Sequence, residues 1–298
     1  MTHAPAIGRG SADVVRAYIG LTKPRIIELL LVTTVPAMVV AARGVPDPWL
    51  MLATLIGGTL AAASANTMNC WLDRDIDGLM ARTSGRPLVR HVVEPRHALV
   101  FGLVLGLASF VWLAVLVNLL SAALALAANA FYVLVYTMGL KRRTSQNIVI
   151  GGVCGCVPVL VGWAAVTGRV GLPAWGMFAI VFAWTPPHFW ALALRYREDY
   201  ARAGVPMLPV VRGVHETARH ILLYTVLLVA VTLLFGPIGG MGAIYLVVAL
   251  WLGGLFVFHA VRLLRAPSEA AAMRLFRFSI TYLGLLFIAM AADAILLG

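Results

Sequence analysis

Nine apolar runs dominate this chain of 298 residues. Each is close to the roughly 20 residues an α-helix needs to cross a bilayer. They fall near 24–42, 49–69, 97–117, 120–139, 147–167, 174–194, 219–236, 243–263 and 277–297. A segment in lipid must satisfy its own backbone hydrogen bonds, which favours helices here. The predicted fold class is therefore all-α: a polytopic membrane protein with nine transmembrane helices bundled around a central cavity open to the cytoplasmic side. Hydrophobic residues make up 61% of the chain and mean hydropathy is +0.93, leaving no stretch for a soluble domain. The expected organisation is a cytoplasmic N-terminal arm over 1–22 and one transmembrane domain over 23–298.

The net charge of +11 excludes less than it suggests. The basic residues sit in short segments between apolar runs, as membrane topology requires, so nucleic acid is rejected as a partner. With the N-terminus placed in the cytoplasm, 21 of the 23 Lys and Arg residues lie on the cytoplasmic side, and only Arg43 and Arg169 lie opposite. The chain is predicted to be a multi-pass protein of the cell membrane, N-terminus cytoplasmic and C-terminus outside. Cys70, Cys154 and Cys156 match no disulfide or zinc spacing. The small residues around Cys154 and Cys156 in GGVCGCVP read as helix packing.

The stretch NTMNCWLDRDIDGLMARTSGRP, from Asn66 to Pro87, leaves the second run and enters a charged loop. Asn69, Asp73 and Asp77 are spaced four apart and so share one helical stripe, with Asp75 on another face. Clustered acids are costly at a membrane boundary. A solvated helix end balanced by Arg74, Arg82 and Arg86 is one reading. Hard oxygens at the mouth of a span also suit Mg²⁺, which takes one or two carboxylates together with water and phosphate oxygens. We prefer the Mg²⁺–diphosphate reading.

Three further polar groups face the same side. LTKPR carries Lys23 and Arg25, with Lys23 read as a headgroup anchor and Glu28 within pairing reach of Arg25. YTMGLKRRTSQN carries Tyr136, Lys141, Arg142, Arg143 and Asn147, read either as a topology signal or as a cationic clamp on phosphate. WTPPHFWALALRYREDYARAGVPMLP carries His188, Tyr196 and Asp199. Pro186 and Pro187 predict a broken or kinked helix. His188 reads either as a satisfied structural residue or, through its aromatic flanks, as a contact for a flat hydrophobic ligand. Asp199, with Glu198 beside it, would set acid opposite the first stripe.

LTKPR, the Asn66-Asn69-Asp73-Asp75-Asp77 pattern, RTSGRPL, LKRRT with Asn147, WTPPHFWALAL and DYxxAGVPMLPVV together resemble the protohaem IX farnesyltransferases, a branch of the UbiA-type intramembrane prenyltransferases. The resemblance runs from about Leu21 to Thr225. It implies transfer of farnesyl from farnesyl diphosphate to the 2-vinyl group of haem b, giving haem O and diphosphate. It implies Mg²⁺ held by Asn69, Asp73, Asp77 and Asp199, which are also the expected catalytic residues. Arg25, Arg86, Tyr136, Lys141, Arg142, Arg143, Asn147, His188 and Tyr196 are the expected substrate-binding residues. Expected partners are farnesyl diphosphate, haem b and membrane lipid, with haem A synthase or cytochrome oxidase assembly proteins as protein partners. GRPLVRHVVEP departs from the family's Gly-containing turn, and the positions four away from Asp199 are Arg195 and Ala203. The rivals are a UbiA-type enzyme with another acceptor (a quinone precursor or a chlorophyll-type tetrapyrrole), a cation-coupled transporter, and a haem-binding assembly factor.

Overall fold

The computed structural model describes residues 11–297, with the backbone alone over 25–31. Arg25 and Glu28 lie in that last stretch, so their side chains are outside the described residues. The described chain is helical and contains no strand. In order come α1 (Ser11–Thr22), α2 (Pro24–Ala42), α3 (Pro48–Leu72), α4 (Arg74–Asp77), α5 (Pro95–Leu116) and α6 (Leu119–Ala130), which continues as a π-helix over Phe131–Leu140. Then follow α7 (Asn147–Gly151), α8 (Val153–Thr167), α9 (Leu172–Arg195), α10 (Arg197–Arg202), α11 (Leu208–Val211), α12 (Gly213–Gly239), α13 (Ala243–Arg265) and α14 (Glu269–Leu296).

Eight helices among the described residues are long and apolar enough to cross a bilayer, counting α6 with its π-helix and α7 with α8 as single spans. The ninth predicted run is α2, a 19-residue helix whose stretch Val32–Ala42 is apolar. The protein is a multi-pass membrane protein. Large apolar side chains such as Leu103, Leu107 and Val115 are exposed on its outside, where lipid rather than water is the natural solvent. Of the predicted arm, residues 11–22 form α1, which buries Ala17 and Leu21 against Cys70, Leu88 and Val93.

Apolar contact gives little net drive between helices in lipid, so close approach and buried polar bonds matter more. Ser64 Oγ donates to Gly102 O and Ser109 Oγ to Gly57 O, each at 2.7 Å, clasping α3 to α5. Asn129 Nδ2 donates to Ala61 O at 3.1 Å, joining α6 to α3. At Gly162 a Cβ would stand 2.7 Å from Thr34 O, so α8 meets α2 backbone to backbone. Asp293 accepts from Gly242 N at 2.6 Å and Tyr245 N at 2.9 Å, holding the start of α13 rather than the end of its own helix.

Of the two readings at Pro186–Pro187, a broken or a kinked helix, the broken one is corrected. α9 runs unbroken from Leu172 to Arg195. Two prolines forfeit two backbone N–H groups, but packing on α12 and α14 and the Trp184 Nε1 bond to Ser279 O at 2.7 Å hold the helix through them. The irregular segment lies elsewhere, in the π-helix of Phe131–Leu140, which the sequence pattern did not reveal.

Candidate active site

The backbone carries the Asn69–Asp73–Asp77 stripe past the end of α3. Asp73 N donates to Asn69 O and Asp77 N to Asp73 O, both at 2.9 Å, so the i to i+4 spacing survives the joint between α3 and α4. The three side chains are buried, with Asp73 at 0% and Asp77 at 1% exposure. Asp75 faces away and is exposed, as its phase on the helix predicts.

Cations from three separate segments meet this stripe. Lys23 Nζ donates to Asn69 Oδ1 at 2.7 Å. Asn69 Nδ2 in turn donates to Asp73 Oδ2 at 2.7 Å and to Thr137 Oγ1 at 3.3 Å. Lys141 forms a close ion pair with Asp73, and Arg86 Nη1 meets Asp77 Oδ2 at 2.5 Å. Arg142 grips Asp75 with two bonds of 2.6 and 2.7 Å and stands 3.6 Å from Asp73 Oδ1. Lys23 is thus corrected from a headgroup anchor to a member of the site. Burial pushes its ammonium down to about 8, against the pull of Asp73. The fork from Arg142 holds Asp75 below the usual carboxylate range.

The π-helix places Thr137 and Tyr136. Its wider turn is visible in Lys141 N bonding to Tyr136 O at 2.8 Å, five residues back. Tyr136 lies against Gly151, where a Cβ would stand 2.2 Å from the ring, and 5.3 Å from the ring centre of Tyr132. Asn147 is fully buried, donates to Lys141 O at 3.2 Å, and leaves its Oδ1 without a partner. Arg143 is exposed and takes no part in these ion pairs.

The second loop closes on the first. Arg82 lies over the Tyr196 ring at 5.6 Å, with Arg195 also 5.6 Å from that ring. Asp199 is buried, pairs closely with Arg202, and faces the backbone amides of Arg82 and Ala81. Its own burial raises its pKa, and these donors outweigh that and leave it lowered. Glu198 is exposed.

Among the described residues no three His, Cys, Asp or Glu side chains converge, so Asp199 is not gathered with Asp73 and Asp77 into one cage. Asp73 Oδ1 and Asp77 Oδ1 are nevertheless buried without hydrogen-bond partners. Such orphans are costly unless something pairs with them. Two carboxylate oxygens beside an amide oxygen fit the open, oxygen-only coordination of Mg²⁺.

His188 sits apart from this network. It is stacked between Trp184 at 4.2 Å and Phe276 at 4.6 Å, and its Nδ1 lies 2.7 Å from Ser279 Oγ. Ser279 has one hydroxyl proton and gives it to Phe276 O at 2.6 Å. With that proton on Phe276 O, the Nδ1–H tautomer completes the chain of bonds and leaves the lone pair on Nε2.

Residues 30–290 match the UbiA prenyltransferase family. The chain belongs to that family. Its membership agrees with the stripe, the cationic ring and the multi-span bundle. Among relatives of this UbiA chain, the protoheme IX farnesyltransferase of Parafrankia sp. (strain EAN1pec) is 57% identical, over 96% of this chain and 92% of that protein. Protoheme IX farnesyltransferase 2 of Saccharopolyspora erythraea is 55% identical, over 97% and 89%. Solved folds agree. A digeranylgeranylglyceryl phosphate synthase structure superimposes with TM-score 0.78 at 19% identity, covering 95% of this chain and 99% of that one. A UbiA homologue from Archaeoglobus fulgidus bound to DMAPP and Mg²⁺ gives 0.65 at 18% identity, covering 94% and 99%.

Sequence reasoning missed Lys23 and Thr137. Lys23 stood in LTKPR, and the pattern held no signal that it reaches Asn69. Thr137 depends on a π register that polar spacing does not encode.

Proposed function

We infer that this UbiA chain converts protohaem IX to haem O. Farnesyl leaves farnesyl diphosphate and bonds to the terminal carbon of the 2-vinyl group. Water adds at the neighbouring carbon and gives up a proton, and diphosphate departs. The observation that carries this reading is the 57% identity to a protoheme IX farnesyltransferase over 96% of the chain. The single transmembrane domain over 23–298 would house both substrates, each an amphiphile with an apolar body and an anionic end.

The site's charge supports a diphosphate. Lys23, Arg86, Lys141 and Arg142 number one more than Asp73, Asp75 and Asp77. A divalent cation raises that excess to three, the charge of an ionised diphosphate ester. Asn69, Asp73 and Asp77 would hold Mg²⁺, with Asp199 entering from the opposite loop. Bound there, the ion neutralises charge on the leaving diphosphate. The archaeal homologue with DMAPP and Mg²⁺ supports that use.

The chain's own groups supply the rest. Lys23, Lys141 and Arg86 are close enough to the stripe to exchange carboxylate for phosphate oxygens, with Arg142, Arg143 and Asn147 beside them. Arg25 belongs to the same LTKPR segment. Tyr136 offers a ring face to a developing allylic cation, and Tyr196 ties the covering loops. Surrounding helices exclude water until the new carbon–carbon bond has formed. His188 offers Nε2 and a stacked aromatic wall to the porphyrin. The basic-residue partition supports a cytoplasmic mouth in the cell membrane with the C-terminus outside. Haem A synthase or oxidase assembly proteins are the expected recipients of the product.

Mass spectrometry of products from the purified chain is the test. Farnesyl diphosphate with haem b should give haem O, and 4-hydroxybenzoate should give no prenylated product. The reverse pattern would reassign the acceptor. Turnover without diphosphate release would discard the prenyl-transfer reading.

A further inference from the structure

The face opposite the Asn69 stripe holds little charge, and that charge is unevenly paired. Among the described residues its carboxylates are Asp47 and Asp293. Asp47 accepts from Leu50 N at 2.8 Å, and Asp293 accepts from Gly242 N and Tyr245 N. Both acids are therefore committed to backbone amides. The arginines there, Arg43 and Arg169, form no ion pair among the described residues. They line the same cavity, of about 510 Å³.

The cavity lies between the end of α2, the end of α8 and the turn into α9. Val40, Trp163 and Val170 form apolar wall, and Thr167 and both arginines supply the polar part. Arg43 is the left-handed cap of α2, with φ of 51°. That conformation is strained for a non-glycine residue. It sends the guanidinium to Gly239 O at 2.8 Å and Gly240 O at 3.2 Å. A guanidinium has five N–H donors, so three stay uncommitted. Arg169 is presented on a tight turn in which Thr167 Oγ1 donates to Arg169 O at 2.8 Å, and its side chain is exposed.

We propose that this cavity binds the phosphate of an anionic phospholipid in the leaflet opposite the catalytic mouth. Two unpaired guanidinium groups match a phosphate in both charge and fork geometry. The volume exceeds a bare phosphate several-fold and suits a headgroup with its glycerol. The apolar wall is firm, because Val40 and Trp163 are packed into the buried core of the bundle. Phosphate is the shared chemistry of a lipid headgroup and a free ion, and the position at the end of three spans selects the lipid.

Native mass spectrometry of the detergent-purified full chain tests this directly. The probe is an equimolar mixture of phosphatidylglycerol and phosphatidylcholine. The wild type should retain one phosphatidylglycerol with a preference of about 25-fold, about fivefold for each of the two basic residues. Arg169→Gln should cut that preference about fivefold, and Arg169→Lys should keep part of it. Arg43→Gln would also release the end of α12, so Arg169 carries the test. Equal retention by wild type and Arg169→Gln would overturn the proposal. So would displacement of the lipid by millimolar inorganic phosphate, because the site would then belong to a free anion.

Discussion

Lys23 Nζ and Asn69 Oδ1 stand 2.7 Å apart, tying the turn before α2 to the last turn of α3 across 46 residues of chain. The first prediction concerns the proton on that nitrogen. The folded protein holds it with a pKa of about 8, lowered mainly by burial. An unfolded lysine holds it to about 10.4. Between those values the unfolded state binds more protons, so stability rises with pH. Below about 8 the fold bears the cost of a buried ammonium. Relative to Lys23→Met, the wild type should gain thermal stability from pH 7 to pH 9.5 in detergent. Parallel melting curves across that range would refute the assignment.

Asp73 and Asp75 make a matched pair of substitutions. Asp73 is wholly buried on Lys141, whereas Asp75 is exposed on Arg142. Asp73→Asn should lower haem O formation by about a hundredfold or more, the scale of losing one transition-state charge contact. Asp75→Asn removes an exposed ion pair of about 0–1 kcal/mol and should stay within about fivefold of wild type. Initial rates at matched membrane content decide it, and equal losses for both would count against the stripe.

Gly151 should tolerate no side chain. A Cβ there would stand 2.2 Å from the Tyr136 ring. Gly151→Ala is expected to cost about 1–3 kcal/mol through overpacking. A double change with Tyr136→Leu should recover most of the melting temperature while leaving turnover low. Full recovery of turnover in the double variant would remove Tyr136 from the reaction.

Asp199 joins the two loops through Arg202 and the amides of Ala81 and Arg82. Asp199→Ala should therefore speed proteolytic cleavage in the loop after α4, as well as reduce turnover. If Mg²⁺ ligation were its sole duty, cleavage rates would match wild type in metal-free buffer.

The lipid-embedded helical class was legible in the chain because hydropathy and basic-residue placement are local properties, summed along the sequence. The Asn69–Asp73–Asp77 stripe was legible for the same reason, since i to i+4 spacing survives even across the joint at Asp73. Pairing was not. Asp73 finds Lys141 from 68 residues away, and Lys23 finds Asn69 from 46 residues away. Those choices depend on how close the helices pack, which Gly151 and Gly162 set by what they omit. Backbone exceptions were hidden too. The prolines of α9 leave it intact, the π-helix carries no proline, and His91 adopts φ of 51° without being glycine. Propensity describes a segment alone, whereas a segment wedged among neighbours adopts whatever backbone their contacts can hold.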